Sequence, residues 1–145
     1  MSIILSALQT VPTGREVVAY KISQNLDSTL STDVVMTLCA KRSVAGALLH
    51  SDQGIHYTNK SYQGLLKEKG IILSMSCKGN CWDNAIMENF FSHLKCECVR
   101  IRKRSLRSFL DVVEAVEEYM VYYNHKRAQR KLNGLSPVDF RQQLA

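Results

Sequence analysis

The sequence predicts an α/β fold, and three observations carry that expectation: short β-branched runs alternate with stretches of helical spacing, capping residues punctuate the helices, and one apolar run stops abruptly at an aspartate. Residues 17–22 (VVAYKI) are rich in β-branched and aromatic side chains and read as a strand, with residues 3–5 a weaker candidate before the Pro12-Thr13-Gly14 turn. Ser31 or Thr32 is placed to cap a helix running to about Lys41, with Val34, Val35 and Leu38 on one face. Residues 47–50 form a second strand, which sets Asp52 at its C-terminal end, the edge where open α/β sheets gather functional groups. Asn59 caps a helix through Lys69, Gly70 is a natural C′ residue, and residues 71–75 return as a strand.

The second half reads as helical. Asp83 or Asn84 starts a helix that carries Ile86, Met87, Phe90, Phe91 and Leu94 together with Glu88. A basic stretch over residues 100–107 precedes a longer helix through about Tyr123, with Phe109, Val112, Val113, Val116, Met120 and Tyr123 at helical spacing. Ser136-Pro137 has the form of an N-cap and first-turn pair opening a short final helix.

A chain of 145 residues with 46% hydrophobic content suits one domain with one core, expected to span residues 1–145. Within it, residues 1–14 are atypical, 15–98 form the core and 99–145 a basic helical part. There is no run of about 18 apolar residues and no signal-peptide pattern, so the expectation is a cytoplasmic, nucleoid-associated protein without a membrane partner. Five cysteines at irregular spacing argue against a disulfide framework. Cys77, Cys81, His93, Cys96 and Cys98 could be drawn as zinc ligands, but paired CxxC knuckles are missing and idle or buried thiols explain them as well. Of the net +6 charge, residues 95–145 hold eleven Lys or Arg against six Asp or Glu, a net of +5. A surface of that kind suits phosphate backbones, and a solvated basic helix produces the same composition.

Asp52 and Glu88 are separated by 35 residues, and two carboxylates at any spacing are weak evidence by themselves. The residues around them are more specific. His50-Ser51-Asp52-Gln53-Gly54, Tyr57-Thr58, the stretch from Ser74 through Lys78-Gly79-Asn80, Asp83-Asn84-Ala85 and Glu88 to Lys95 and Glu97, then Tyr119, Tyr122-Tyr123-Asn124, Arg127 and Leu135-Ser136-Pro137 with Phe140 follow one another in order. Together they closely resemble the core of insertion sequence 3 family transposases, relatives of retroviral integrases.

That resemblance implies a ribonuclease H-like integrase core, a mixed sheet flanked by helices, with a triad of two aspartates and a glutamate holding two Mg2+ ions, for which Mn2+ can substitute. It makes Asp52 and Glu88 catalytic metal ligands of a polynucleotidyl transferase that cuts DNA and joins strands. Hard divalent cations favour oxygen donors, and a pair of them can clamp the attacking and the leaving oxygen of a phosphodiester. Lys95, seven residues after Glu88 and so on the same helix face, corresponds to a DNA-contacting lysine in the related integrases. Lys78 and Asn80 lie in a loop suited to the substrate strand, Arg127, Arg130 and Lys131 are placed for phosphates, and Asn84 either supports Glu88 or caps its helix. His50 and His56 read as structural groups, and Tyr122, Tyr123 and Asn124 as packing residues of the long helix.

The resemblance also sets an expectation of loss. In the family the first aspartate lies on a strand upstream of a hairpin whose last strand resembles residues 15–22, and none of the 14 residues before Arg15 is an aspartate. The chain is therefore expected to begin after the catalytic strand, with Asp27 and Asp33 poor substitutes. Two functions follow: a transposase core acting on element ends and target DNA, or a non-catalytic DNA-binding remnant that regulates transposition. Either acts as a homo-oligomer or beside full-length transposase.

Overall fold

The computed structural model describes residues 3–10, 14–27, 29–51, 55–75 and 85–145. In chain order the elements are β1 (Ile4–Gln9), β2 (Val17–Ser23), α1 (Leu30–Lys41), β3 (Leu48–Ser51), α2 (Ile55–Thr58), α3 (Lys60–Glu68), β4 (Ile72–Met75), α4 (Ala85–His93), α5 (Phe109–His125) and α6 (Pro137–Leu144). A π-helical stretch, Leu94–Arg100, continues α4, and a 3-10 turn, Arg130–Leu132, precedes α6. The described strands form two pairs, β1 with β2 and β3 with β4. The chain divides into two compact units, one made of Gln9–Val18 and Met87–Ala145, the other of Ser2–Leu8 and Ala19–Ile86.

In the second unit, β3 and β4 run parallel in the register Leu48↔Ile72 to Ser51↔Met75, and α2 and α3 form the crossover between them. Leu49 and Ser51 are buried while Leu48 and His50 are exposed, the period-two pattern of a strand with one covered face. The core beneath joins Val35 of α1, Val44, Leu49, Tyr62 and Leu66 of α3, and Ile71, with Leu8, Leu38 and Leu73 packed on it. Each of these larger side chains contributes about 1.5–3 kcal/mol by leaving water. Burial also pushes the Tyr62 phenol well above its ordinary range.

The punctuation residues of α3 act as expected. The Asn59 side chain accepts the Ser61 N–H at 2.8 Å, and Gly70 adopts φ +70°, where its N–H reaches the Lys67 carbonyl. The start of α1 differs from the expectation. Its N-cap is Thr29, without a side-chain cap bond, and Ser31 is already a buried residue of the first turn. The strand expected only over residues 3–5 runs from Ile4 to Gln9, because pairing with β2 supplies the backbone partners that a weak local propensity lacks.

The first unit is built on α5. Ser108 and Asp111 form a reciprocal capping box at its start, and Val112, Ala115, Val116, Tyr119, Met120 and Tyr123 make one buried stripe. Phe90 of α4 meets the Tyr123 ring edge-on at 5.0 Å, and the buried Cys98 thiol donates to the Ala115 carbonyl. Ser136 caps α6 by accepting the Asp139 N–H, with Pro137 and Val138 buried behind it. Asn124 grips the β2 backbone twice, accepting the Val17 N–H and donating to the Val17 carbonyl, both at 2.9 Å. Tyr122, expected to pack inward, is 45% exposed because the buried stripe takes 119, 120 and 123 and leaves 122 beyond its edge.

Candidate functional site

The apolar run of β3 ends at Ser51, so the strand delivers the chain directly to Asp52, which lies outside the described residues. Lys78, Asn80 and Asn84 lie outside them too, as do Cys77 and Cys81 of the zinc alternative. Glu88 stands in the first turn of α4, where a carboxylate is favoured by the positive end of the helix dipole. It is exposed, and among the described residues nothing pairs with it. The apolar side of the same helix holds it in place: Phe90 is 1% exposed and Leu94 is buried one turn further on.

Lys95 is exposed on the π-helical continuation of that helix. The wider π turn means that heptad spacing alone does not set its angle relative to Glu88. Cys96 is exposed while Cys98 is buried, so the two thiols occupy different environments. Among the described residues no cluster of three or more His, Cys, Asp or Glu is arranged to hold a metal ion. His50 contacts the Ser74 hydroxyl through Nδ1 at 3.2 Å, across the β3–β4 register, as a structural group would.

Arg127 sits differently from its expected role at a phosphate. Its guanidinium is turned onto Glu97, donating from Nε to Oε2 at 2.8 Å and from Nη2 to Oε1 at 2.6 Å. The Tyr119 hydroxyl donates to the same Oε2 at 2.9 Å, and His93 Nδ1 lies 3.5 Å from Oε1. The Arg127 hydrogen bonds hold the Glu97 carboxyl below its ordinary range, while burial and the Glu97 hydrogen bond raise the Tyr119 phenol. Glu97 was not expected among the site residues. The motif contains both residues, but nothing in a 30-residue separation announces a bond. Arg130 and Lys131, on the 3-10 turn, are exposed to solvent.

Two models of an integrase core domain match the chain, one over residues 13–81 and the other over residues 88–144. An uncharacterized transposase-like protein of Haemophilus influenzae is 41% identical over 130 residues, covering 90% of this chain and 59% of its own. A putative transposase for insertion sequence element IS150 of Escherichia coli K12 is 49% identical over 96 residues, 66% of this chain and 33% of its own. The chain therefore spans about three fifths of the first relative and one third of the second. The catalytic core of HTLV-2 integrase, solved in complex with magnesium, superposes with a TM-score of 0.63 over 95% of this chain and 92% of its own. At 11% identity that likeness establishes a shared ribonuclease H-like fold and nothing about chemistry.

Proposed function

Since the chain belongs to the integrase-core family of insertion-sequence transposases, we propose that it is the catalytic core of a DNA transposase in which Asp52 and Glu88 are metal ligands. The observation that carries this reading is the ordered run of motifs around Asp52 and Glu88, matched by integrase-core models over residues 13–81 and 88–144. A carboxylate left outside every described ion pair is a hard oxygen donor, which fits Mg2+ or Mn2+ and fits zinc poorly. When bound, two such ions supply Lewis acidity to the entering and the leaving oxygen of a phosphodiester.

The chain's own residues have simpler tasks. Asp52 and Glu88 serve as oxygen donors to the metals rather than as general acids. Lys95, Arg130 and Lys131 meet phosphate oxygens, Lys78 and Asn80 touch the substrate strand, and Asn84 steadies Glu88 or caps α4. Arg127 serves the same surface indirectly by holding Glu97 and hence the helix that bears Lys95. The partners are element ends and target DNA, with a second copy or a full-length transposase alongside. The whole of residues 1–145 acts as one catalytic-core domain in this reading.

A second reading, a non-catalytic DNA-binding regulator, is favoured by the basic second half of the chain, residues 95–145 with a net charge of +5, which can meet phosphates without any metal. Asp27 accepts the Thr29 N–H in a turn, and Asp33 lies exposed in the first turn of α1, so neither is placed as a metal ligand in this reading. Nicking and strand-transfer assays on labelled element ends in Mg2+ and in Mn2+ separate the two. Cleavage that disappears in Glu88→Gln establishes the catalytic reading. Binding of those ends without cleavage in either metal establishes the regulator.

A further inference from the structure

The turn between the π-helical stretch and α5 carries Arg100, Arg102, Lys103, Arg104 and Arg107 within eight residues, all exposed. Three nearby acids are already committed, and the exposed Glu114 and Glu117 of α5 make no ion pair among the described residues. Glu97 is held by Arg127 and Tyr119, Glu118 accepts from Arg102, and Asp111 accepts the Arg107 and Ser108 N–H groups of the α5 cap. The Arg100 guanidinium reaches the Cys96 sulfur at 3.8 Å, and among the described residues Arg100, Lys103, Arg104 and the Arg107 side chain make no ion pair. Among the described residues, four of the five cations on this short segment are therefore without an ion pair.

The backbone beneath them is fixed. Arg102 N–H donates to the Cys98 carbonyl, Ser105 and Leu106 N–H both donate to the Arg102 carbonyl, and the buried Cys98 ties the start of the turn to α5. A turn held this way presents its charges without a large ordering cost on binding. Four of its five cations are arginines, whose planar fork matches phosphate oxygens in pairs. Like charges this close repel one another, and a polyanion with regularly spaced phosphates relieves that repulsion in a way that scattered counter-ions do not.

We propose that this turn is a phosphate-backbone docking surface for duplex DNA, with Arg100, Lys103 and Arg104 as contact residues. The proposal rests on the DNA-binding reading above and adds contact residues beyond Lys95, Arg130 and Lys131. Because the contacts are to the backbone, they position DNA without reading its sequence.

The test measures binding of the full chain to a fluorescent duplex across a salt series, for the wild type, Arg100→Gln/Lys103→Gln/Arg104→Gln, and a charge-matched control. The control is Lys41→Gln/Lys60→Gln/Lys67→Gln, three exposed lysines of the other unit. Each phosphate contact contributes about 0.9 to the slope of log affinity against log salt, so the turn variant should lose roughly 2–3 from that slope and bind at least about tenfold more weakly at 0.1 M salt. The control should keep the wild-type slope. An unchanged slope in the turn variant overturns the proposal and leaves the DNA reading standing, as does an equal loss in both variants. A wild-type chain with no salt-dependent DNA binding overturns both.

Discussion

Replacing Arg127 by alanine removes both arms of the fork on Glu97, and the structure sets the scale of the loss. Exposed ion pairs contribute about 0–1 kcal/mol and breaking fully buried ones costs about 3–5 kcal/mol. Here the Arg127 side chain is 16% exposed and the Glu97 side chain 32%, between those limits. Tyr119 stays behind to satisfy one Glu97 oxygen, which lessens the penalty of an orphaned carboxylate. The expected cost is about 2 kcal/mol, or about 4–8 °C in melting temperature for a chain of this size. Arg127→Lys keeps the charge but cannot supply two parallel N–H donors, so it should recover less than half of the loss.

The pH dependence gives this prediction a sign. Glu97 titrates below its ordinary value of 4.5 in the folded chain, chiefly because Arg127 donates to it. Its contribution is therefore complete above about 4.5 and disappears as pH falls through the lower folded value. Thermal melts followed by circular dichroism should show the gap between wild type and Arg127→Ala wide at pH 7 and closing below pH 4.5. A gap under about 1 °C at pH 7, full rescue by lysine, or a gap that widens in acid would refute the argument.

Three further substitutions test local structure. Ser108→Ala should cost about 1 kcal/mol in the melt by removing the α5 cap, and a wild-type melting temperature would show that Asp111 alone secures the helix start. Gly70→Ala should destabilise by about 1 kcal/mol because the residue sits at φ +70°, although a Cβ would meet only ordinary contacts, the nearest 3.6 Å away at Ala45 Cα. Gly46→Ala, also at positive φ and with nothing nearby, should cost a similar amount, and a large difference between the two would mean that packing rather than backbone conformation governs them.

The legible parts of this chain share a physical character. Asn59, Gly70 and Ser136-Pro137 punctuate helices because a cap bond or a left-handed turn involves residues within a few positions of each other. The stripe from Val112 to Tyr123 was visible because burial on one helix face recurs every three or four residues. The order of motifs around Asp52 and Glu88 carried the family, and the comparisons bear that family out. The elements that escaped were those decided elsewhere in the chain. β1 has weak propensity of its own and extends to Gln9 through its pairing, and α1 begins earlier than its hydroxyl residues suggest, with Leu30 and Ser31 already buried. The basic segment could be counted in the sequence. Only the structure separates its matched cations from its unmatched ones.

By itself the sequence determined the α/β class, several helix ends and the integrase-core family, since each depends on short-range spacing or on side-chain type. Tertiary structure decided what Arg127, Asn124 and Glu97 are for. Arg127 meets Glu97 across 30 residues and Asn124 meets Val17 across 107, separations at which loop closure rather than local preference governs who meets whom. A charged side chain on a basic segment looks the same in sequence whether it faces DNA or a carboxylate. Folding distinguishes them, because a buried or half-buried charge must find its partner and an exposed one need not.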